Sequence, residues 1–423
     1  MIVLHLMIKI RKLKMKEIKI KWAFIMAEIE KRKRPLFLLA IFVFLACGPQ
    51  MIYQPPEHLL KSDAPIFENS ENALSYGFKN SAYMRRVWPK KEPALITAMG
   101  DVVLNYAVKA DIINNRIKRF GREDAMKFPF SRVKHEIKGI AFCNLEAPIT
   151  SHPLKVFSDK DEIFYFKSPP GSEDMLKYSN INIASLANNH ILDAGVEGMY
   201  DTAERISEAG VTPVGMGDNI AKALEPVYVW HRGTRIAFFA FSRVVPRSVW
   251  AGADSPGAAG GSDEILTAAV RRVRDKVDAV VVSVHWGQEV AYDYPVVQPE
   301  YEQVTLARKL IDSGASLILG HHTHAVGPVE RYKEGLIFYS LGDFVFAGRH
   351  SASHKTGMMV QVELSEKGIE SYSIIPVNIN PLDINYRVEI LSAETGLHVI
   401  NRVLPVRDDK YHDFYSASDV AKN

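Results

Sequence analysis

Short apolar runs alternate with amphipathic stretches through the middle of this 423-residue chain. Seven apolar runs have the length and boundaries of buried strands, at 94–99, 139–143, 181–186, 235–241, 278–284, 315–319 and 336–341. Three stretches between them have apolar residues at helical spacing, at 196–209, 264–276 and 300–313. Strands that alternate with helices predict an α/β fold with a largely parallel sheet, covered by helices on its faces.

The same pattern divides the chain into four predicted parts. Residues 1–47 are predicted to be a signal and anchor segment, and 48–92 a linker and lead-in without a sustained period. Residues 93–380 form the predicted folded domain, and 381–423 a less regular C-terminal extension. From residue 358 onward the pattern favours antiparallel β hairpins that complete the sheet.

The N-terminal part resembles a lipoprotein signal. The basic stretch KRKRP (31–35) is followed by eleven apolar residues, LFLLAIFVFLA (36–46), and then by Cys47. Eleven residues are too few to span a membrane, which needs about 20, but they suit a signal-peptide core. We therefore expect an extracytoplasmic protein that is anchored to the membrane through a lipid on Cys47. An uncleaved signal anchor and a buried apolar helix are the alternatives, and translation starts at Met1 or at Met26.

Charge is distributed unevenly along the chain. Residues 1–34 contribute +8 to a net charge of +3, so the remaining chain carries about −5. The folded part therefore gives no reason to expect nucleic acid as a partner. Only two cysteines are present, and lipidation of Cys47 would leave Cys143 without a partner for an internal disulfide.

Polar side chains follow five of the predicted strands, directly where each strand ends. Carboxylates, amides and imidazoles occupy these positions: Asp101, Asn144, Glu146, Asn188, Asn189, His190, Asp193, His285, His321, His322 and His324. In open α/β sheets, ligands and active sites collect at the carboxyl ends of the strands. The histidines of GHHTH (320–324) are the densest group, and one of them can equally hydrogen-bond a backbone carbonyl.

Oxygen and nitrogen donors without thiolates suit divalent Zn, Mn or Fe, as one ion or as two with a bridging carboxylate. Each donor also has a structural alternative. Asp101 is a possible N-cap of a helix over 102–119, and Glu146 an exposed loop carboxylate. Asn188 and Asn189 are turn formers, and His285 is a possible core histidine. Five independent placements at five strand ends nevertheless favour one shared metal site.

Six motifs resemble, in this order, the bacterial capsule-synthesis family typified by CapA. They are MGDVVLN, NLEAPIT, SLANNHILDAG, VHWGQE, LILGHHTH and IFYSLGDFVF, and they span about residues 93–347. The resemblance implies a calcineurin-like metallophosphatase fold, a layered α/β/β/α sandwich, and a link to poly-γ-glutamate capsules.

The resemblance also implies roles for the site residues. Asp101, Glu146, Asn189 and His285 are the implied metal ligands, with Glu146 bridging. His190 is the implied acid, oriented by Asp193. His324 is the firmer ligand of the last motif, and His321 and His322 compete for the other place.

Two positions depart from the family pattern. Val103 stands where the superfamily usually has a histidine, which puts one of two metal positions in doubt. Asp343 replaces the asparagine of SLGNF, either adding charge at the site or capping a turn, and we favour the turn.

The resemblance implies a metal-bound hydroxide that attacks a phosphoester or an amide, within capsule synthesis or export. The expected partners are an anionic polymer, a phosphoester or γ-glutamyl substrate, and capsule polymerase or export proteins. The alternatives are a non-catalytic polyanion-binding component of an export complex and a general cell-surface phosphodiesterase.

Overall fold

The computed structural model describes residues 65–67, 91–104, 107–155, 165–244, 246–290, 296–346, 356–379 and 386–415. All of them belong to one compact unit, Glu57–Asn423. The predicted signal, Cys47 and most of the predicted linker lie outside the described residues. Among the helices that are described, none combines the length and apolarity needed to cross a membrane.

The first sheet carries the strands that end in carboxylates and amides. Its strands are β2 (Ala94–Val103), β3 (Ile140–Leu145), β4 (Ile183–Ser185), β5 (Thr212–Val214), β14 (Asp343–Phe346), β15 (Thr356–Ser365), β16 (Gly368–Asn378) and β17 (Glu389–Ile390). Their order is β17-β16-β15-β2-β3-β4-β5, with β14 also paired to β2. The four strands β2 to β5 are parallel, and β15 to β17 continue the sheet antiparallel.

The second sheet carries the strands that end in histidine. Its strands are β1 (Ile66–Phe67), β7 (Val227–His231), β8 (Thr234–Ser242), β10 (Ala279–His285), β11 (Leu317–His321), β12 (Val329–Tyr332) and β13 (Gly335–Phe338). Their order is β1-β7-β8-β10-β11-β13-β12. The centre of this sheet is parallel and its edges are antiparallel. Two short strands, β6 (Met216–Gly217) and β9 (Gly257–Ala258), pair apart from both sheets.

Of the described helices, seven cover the outer faces of the sheets, and an eighth contributes to the layer between them. They are α1 (Ala107–Phe120), α2 (Arg122–Lys127), α3 (Glu173–Tyr178), α4 (Gly195–Glu208), α5 (Ile220–Ala223), α6 (Asp263–Arg271), α7 (Tyr301–Asp312) and α8 (Ala393–Val403). Single turns of 3-10 helix occur at Phe128–Phe130, Lys134–Glu136, Arg247–Val249 and Arg274–Lys276. Helix α7 begins where the pattern predicts because Glu300 and Gln303 form a capping box.

Three apolar layers hold these elements together. One lies between the two sheets and joins residues such as Phe142 of the first sheet to Phe238 of the second, whose rings stack at 6.1 Å. The other two lie outside the sheets, beneath the helices. Strand β10 has apolar side chains on both of its faces. Val281 faces the layer between the sheets, and Val280 and Val282 face the helices, so both faces of the strand must be covered.

The α/β class is confirmed. The strands form two mixed sheets, as the layered sandwich implied by the resemblance requires, and not the one largely parallel sheet that the pattern alone predicts. Asp101 is not a helix N-cap, because β2 continues to Val103 and α1 begins only at Ala107. The stretch after 381, predicted to be less regular, contains β17 and α8, and α8 buries Ile400 and Val403 in the layer between the sheets.

Candidate metal centre

Asp101 connects the two sheets at their carboxyl ends. It is completely buried near the end of β2. Its Oδ1 accepts hydrogen bonds from His321 Nδ1 and Asn144 Nδ2, both at 2.9 Å. Its Oδ2 accepts the backbone N–H of His322 at 3.0 Å. The first carboxylate of the site therefore fixes the histidine segment of the second sheet.

Two glycines allow this close approach of backbones. A Cβ on Gly100 would overlap the carbonyl oxygen of Gly342, and a Cβ on Gly320 would overlap that of Tyr339. These glycines directly precede Asp101 and His321. The segment before β14 can therefore pass beside both ligand-bearing strand ends, where any larger residue would push it away.

Glu146 lies between the histidines of the two strand ends. It follows β3 and is completely buried. Its Oε1 is 3.5 Å from His285 Nε2 and 3.9 Å from His324 Nε2. Within the described part of the chain, neither of its carboxylate oxygens has a hydrogen-bond partner. Because Glu146 is completely buried, the exposed-loop alternative for it is wrong. An ionised carboxylate without a hydrogen-bond partner is costly to bury unless a cation is bound.

His285 ends β10 and faces the amide side chains of the first sheet. Its Nε2 lies 2.9 Å from Asn189 Oδ1, and its Nδ1 lies 3.3 Å from Asn144 Nδ2. Asn188 instead holds the loop, because its Nδ2 donates to the carbonyl of Leu145 at 2.8 Å. Its Oδ1 accepts the N–H of His190 at 3.1 Å. Of the two neighbouring asparagines, Asn189 is the one that faces the histidines.

His190 and Asp193 form a buried pair beside this group. His190 Nδ1 donates to Asp193 Oδ2 at 2.7 Å, and the same oxygen accepts the backbone N–H of Phe166 at 2.7 Å. The ring of Phe166 packs on the His190 ring with centroids 4.3 Å apart. The pair thus fixes the orientation and the Nδ1 proton of His190.

The three histidines of the GHHTH segment have different environments. His321 directs Nδ1 to Asp101, whereas the ring of His322 lies 4.7 Å from that of His285. His322 and His324 have φ angles of 90° and 59°. A left-handed backbone at a non-glycine residue costs about 1–3 kcal/mol and is concentrated at functional sites. Among the described residues, the groups with metal-binding geometry include His322 and His324 but not His321.

Three such groups bring possible ligand atoms within 4.8 Å of one another. They are Glu146 with His285 and His322; Glu289 with His322 and His324; and Asp101 with His324 and Asp343. Glu289 was not among the predicted site residues, and Asn144 was named only as a strand-end side chain without a role. The signal for both was their position within the motifs VHWGQE and NLEAPIT. Asp343 corrects our preference for a turn cap, because its Oδ1 lies 2.7 Å from His324 Nδ1.

Burial and mutual interaction shift the pKa values of these groups. Burial raises the pKa of Glu146 well above its usual value, and the charges of Asp101, Asp343 and Glu289 raise it further. Burial would also raise the pKa of Asp101, but the hydrogen bond and charge of His321 lower it overall. Burial, with the neighbouring His324, lowers the pKa of His322 to about 3.

These properties fit a divalent cation. Burial, with the neighbouring His322, also lowers the pKa of His285, and a neutral imidazole is the form that binds metal. Separations of about 3–4 Å between donor atoms are those expected of two ligands on one ion with bonds near 2 Å. The partnerless carboxylate of Glu146 supplies the compensating negative charge.

Comparison with known proteins agrees with the motifs. The family model of the bacterial capsule synthesis protein PGA_cap matches residues 95–348. The chain is 29% identical to capsule biosynthesis protein CapA of Bacillus anthracis, covering 69% of this chain and 68% of that protein. It is 30% identical to PGA biosynthesis protein CapA of Bacillus subtilis strain 168, covering 69% and 76%.

Among solved structures, it is similar to the crystal structure of a 5′-nucleotidase precursor from Thermus thermophilus. That match has a TM-score of 0.38 and 15% identity, and it covers 74% of this chain and 59% of that one. The family model spans well over half of the chain, including every residue of the candidate centre. This chain therefore belongs to the bacterial capsule synthesis protein family PGA_cap.

Proposed function

We propose that this member of the capsule family is a metal-dependent hydrolase that cleaves a phosphoester or an amide bond during poly-γ-glutamate capsule synthesis or export. The observation that carries the proposal is the convergence of Glu146, His285 and His322 at the edge between the two sheets. A divalent cation held there would lower the pKa of a bound water and so supply a nucleophile at neutral pH.

The roles of the residues follow from their contacts. Glu146, His285 and His322 would hold the cation, with Asn189 Oδ1 beside His285 Nε2 as a further oxygen donor. His322 is supported over His321 as the ligand beside His324, because His322 stands in two of the groups with metal-binding geometry among the described residues and His321 in none of them. Asp101 would position the histidine segment through its hydrogen bonds to His321 and to the backbone of His322.

His190 is suited to act as the general acid. Its Nδ1 proton is held by Asp193, so Nε2 is the nitrogen that exchanges a proton with a leaving group. His190 is near enough to the metal-binding group for its charge to contribute to the lowered pKa of His322. The apolar ring of Phe166 on the imidazole would limit the access of water.

We further propose that the protein acts outside the cytoplasm, anchored by a lipid on Cys47, with an anionic polymer or a γ-glutamyl chain as its substrate. The relatives named for capsule and PGA biosynthesis support this setting. Polymerase and export proteins of the capsule system are the proposed protein partners.

The test is an assay of the purified full chain with Mn²⁺ or Zn²⁺, using a phosphodiester and a γ-glutamyl peptide as separate substrates. We expect turnover of one substrate class, and loss of both metal and turnover in His285→Ala. His398→Ala, at an exposed position of α8, is the matched control. Stoichiometric metal without turnover of either substrate would favour a polyanion-binding component. Retention of both metal and activity in His285→Ala would refute the proposed site.

A further inference from the structure

Glu289 brings a fourth carboxylate to the centre, from the loop that follows β10. Its Oε1 lies 3.9 Å from His324 Nε2, and it forms a group of possible ligand atoms with His322 and His324. The side chain of Glu289 is 28% exposed, whereas those of Asp101, Glu146 and Asp343 are at most 2% exposed. Glu289 therefore lies where the buried centre meets solvent.

The backbone holds this loop against the histidine segment. Gly287, with φ of 80°, turns the chain directly after the buried Trp286, whose indole N–H donates to the carbonyl of Tyr339 at 2.9 Å. Val290 then donates its N–H to the carbonyl of Thr323, at 3.2 Å. Because Thr323 stands between His322 and His324, this bond fixes the neighbouring Glu289 beside both imidazoles.

The Nε2 nitrogen of His324 faces two glutamates. Its Nδ1 donates to Asp343, so Nε2 is the coordinating atom, and Nε2 lies 3.9 Å from both Glu146 and Glu289. Val103 has no ligand atom, and it packs in an apolar cluster with Ala147 and Phe166. Beside Glu146, the β10 loop brings Glu289 as a further carboxylate donor near His324 Nε2.

The negative charge of the centre also favours the binding of more than one divalent cation. In the described part of the chain, the ion-pair partners of Asp101, Glu146 and Asp343 are all histidines. Imidazole binds metal as the neutral base. With Glu289 included, four carboxylates surround the centre and three of them are buried, so one divalent ion would leave about one buried negative charge without a cation.

We propose that Glu289 is a metal ligand and that, with His322 and His324, it forms a second cation position at the mouth of the centre. This inference rests on the proposed metal centre and adds to it a position that exchanges with solvent. The group of Glu146, His285 and His322 is buried throughout and shares only His322 with it. The ion at the mouth should therefore be bound more weakly and be removed first by a chelator.

The experiment measures metal content and affinity, independently of activity. Four proteins are compared: the purified full chain, Glu289→Gln, Glu289→Asp and the control Glu302→Gln. Each is stripped of metal and titrated with Mn²⁺ by calorimetry, and its bound metal is measured after brief chelation. Glu302 is an exposed residue in the first turn of α7. Circular dichroism follows the unfolding of each metal-free variant. It checks that Glu289→Gln folds like the wild type, so that a loss of metal is not a loss of fold.

We expect two ions per wild-type chain, the weaker one removed by brief chelation. Glu289→Gln should lose that ion or bind it more weakly by at least the roughly 10–100-fold that removal of an outer-shell partner costs, whereas Glu289→Asp should keep it in part and Glu302→Gln should match the wild type. Unchanged binding of every ion in Glu289→Gln would overturn the inference and leave the buried centre intact. A single wild-type ion that the variant weakens would overturn the separate position. A wild-type chain that binds no divalent ion would refute the proposed function itself.

Discussion

His324 donates its Nδ1 hydrogen to Asp343 Oδ1 at 2.7 Å, and both side chains are almost completely buried. A carboxylate only accepts hydrogen bonds, so this contact places the proton of His324 on Nδ1. The unprotonated Nε2 then faces Glu146 Oε1, 3.9 Å away. Asp343 therefore selects the nitrogen of His324 that can bind a metal, a role that carboxylates commonly have behind histidine ligands.

Replacing Asp343 should weaken metal binding without removing a ligand. In Asp343→Ala the buried Nδ1–H loses its acceptor, so we expect metal affinity to fall on the order of 10–100-fold. The free energy of unfolding of the metal-free chain should fall by about 1–3 kcal/mol. Calorimetric titration and urea unfolding measure the two effects.

Two variants serve as comparisons for this prediction. Asp343→Asn keeps an acceptor oxygen and should lie between the wild type and Asp343→Ala. Asp254→Asn, in an exposed loop, should match the wild type. Wild-type metal affinity in Asp343→Ala would show that the hydrogen bond does not control the orientation of His324.

The strand-end argument predicted the location of the site because it depends on local sequence. An apolar run that ends in a polar residue identifies a strand and its carboxyl end without reference to any other strand. For this reason Asp101, Glu146, His285 and the GHHTH segment could be named from the sequence. The same argument named Asn189, His190 and Asp193, and the family motifs added their roles.

The arrangement of the strands could not be predicted in the same way. A fully buried run such as β10 has the same pattern in a one-sheet and in a two-sheet fold, because apolar layers cover both faces in each. The pairing of β14 with β2, which brings Asp343 into register with Asp101, joins strands that are distant in sequence. The role of Asp343 follows from that pairing and has no local signal.

Asp193→Asn should impair catalysis through His190. Asp193 Oδ2 accepts hydrogen bonds from His190 Nδ1 and from the backbone of Phe166. An amide supports the imidazole less well and can stabilise the wrong tautomer, so we expect kcat to fall by about 100-fold or more. The loss should be greater for substrates with basic leaving groups, because these depend most on the acid.

The measurement compares kcat and KM of Asp193→Asn and the wild type for two substrates, an ester with a nitrophenyl leaving group and one with a more basic alkyl leaving group. The metal content of each protein is measured as well. Metal stoichiometry should be unchanged, and Asp254→Asn should behave as the wild type. An equal loss for both leaving groups would contradict the assignment of His190 as the acid that Asp193 positions.

Replacing Cys47 should release the protein from membranes. If the thiol is lipidated, Cys47→Ser removes the anchor while leaving the folded domain unchanged, and the chain should move from the membrane to the soluble extracytoplasmic fraction. Fractionation with immunodetection measures the change, and Cys143→Ser, at a buried position in β3, controls for loss of a thiol. Unchanged membrane retention of Cys47→Ser would refute lipid anchoring at this residue.

The metal-free protein should become less stable as the pH falls below about 6.5. His322 has a pKa of about 3 against an ordinary value of 6.5, and the pKa of His285 is also lowered, in both cases mainly by burial. Below pH 6.5 the unfolded chain binds protons at these residues while the folded chain does not. Each histidine should therefore lower the free energy of unfolding by up to about 1.4 kcal/mol per pH unit.

Glu146 acts in the opposite direction over part of this range. Its pKa is raised above the ordinary 4.5, so the folded chain binds that proton first and gains stability as the pH falls. Asp101, with a pKa below its ordinary 3.8, contributes only at lower pH. Where Glu146 is protonated only in the folded chain, two histidines against one glutamate leave an expected net loss of about 1.4 kcal/mol per pH unit; elsewhere between pH 6.5 and 4.5 the loss is up to about 2.8 kcal/mol per pH unit.

Urea unfolding of the chelated protein at pH 7.5, 6.5, 5.5 and 4.5 measures this slope. His322→Asn removes one of the two titrating imidazoles and should reduce the slope by about 1.4 kcal/mol per pH unit. His398→Asn, at its exposed position in α8, should leave the slope unchanged. If stability were constant or increased as the pH fell to 4.5, or if His322→Asn kept the wild-type slope, His322 could not be the buried neutral base that the metal centre requires.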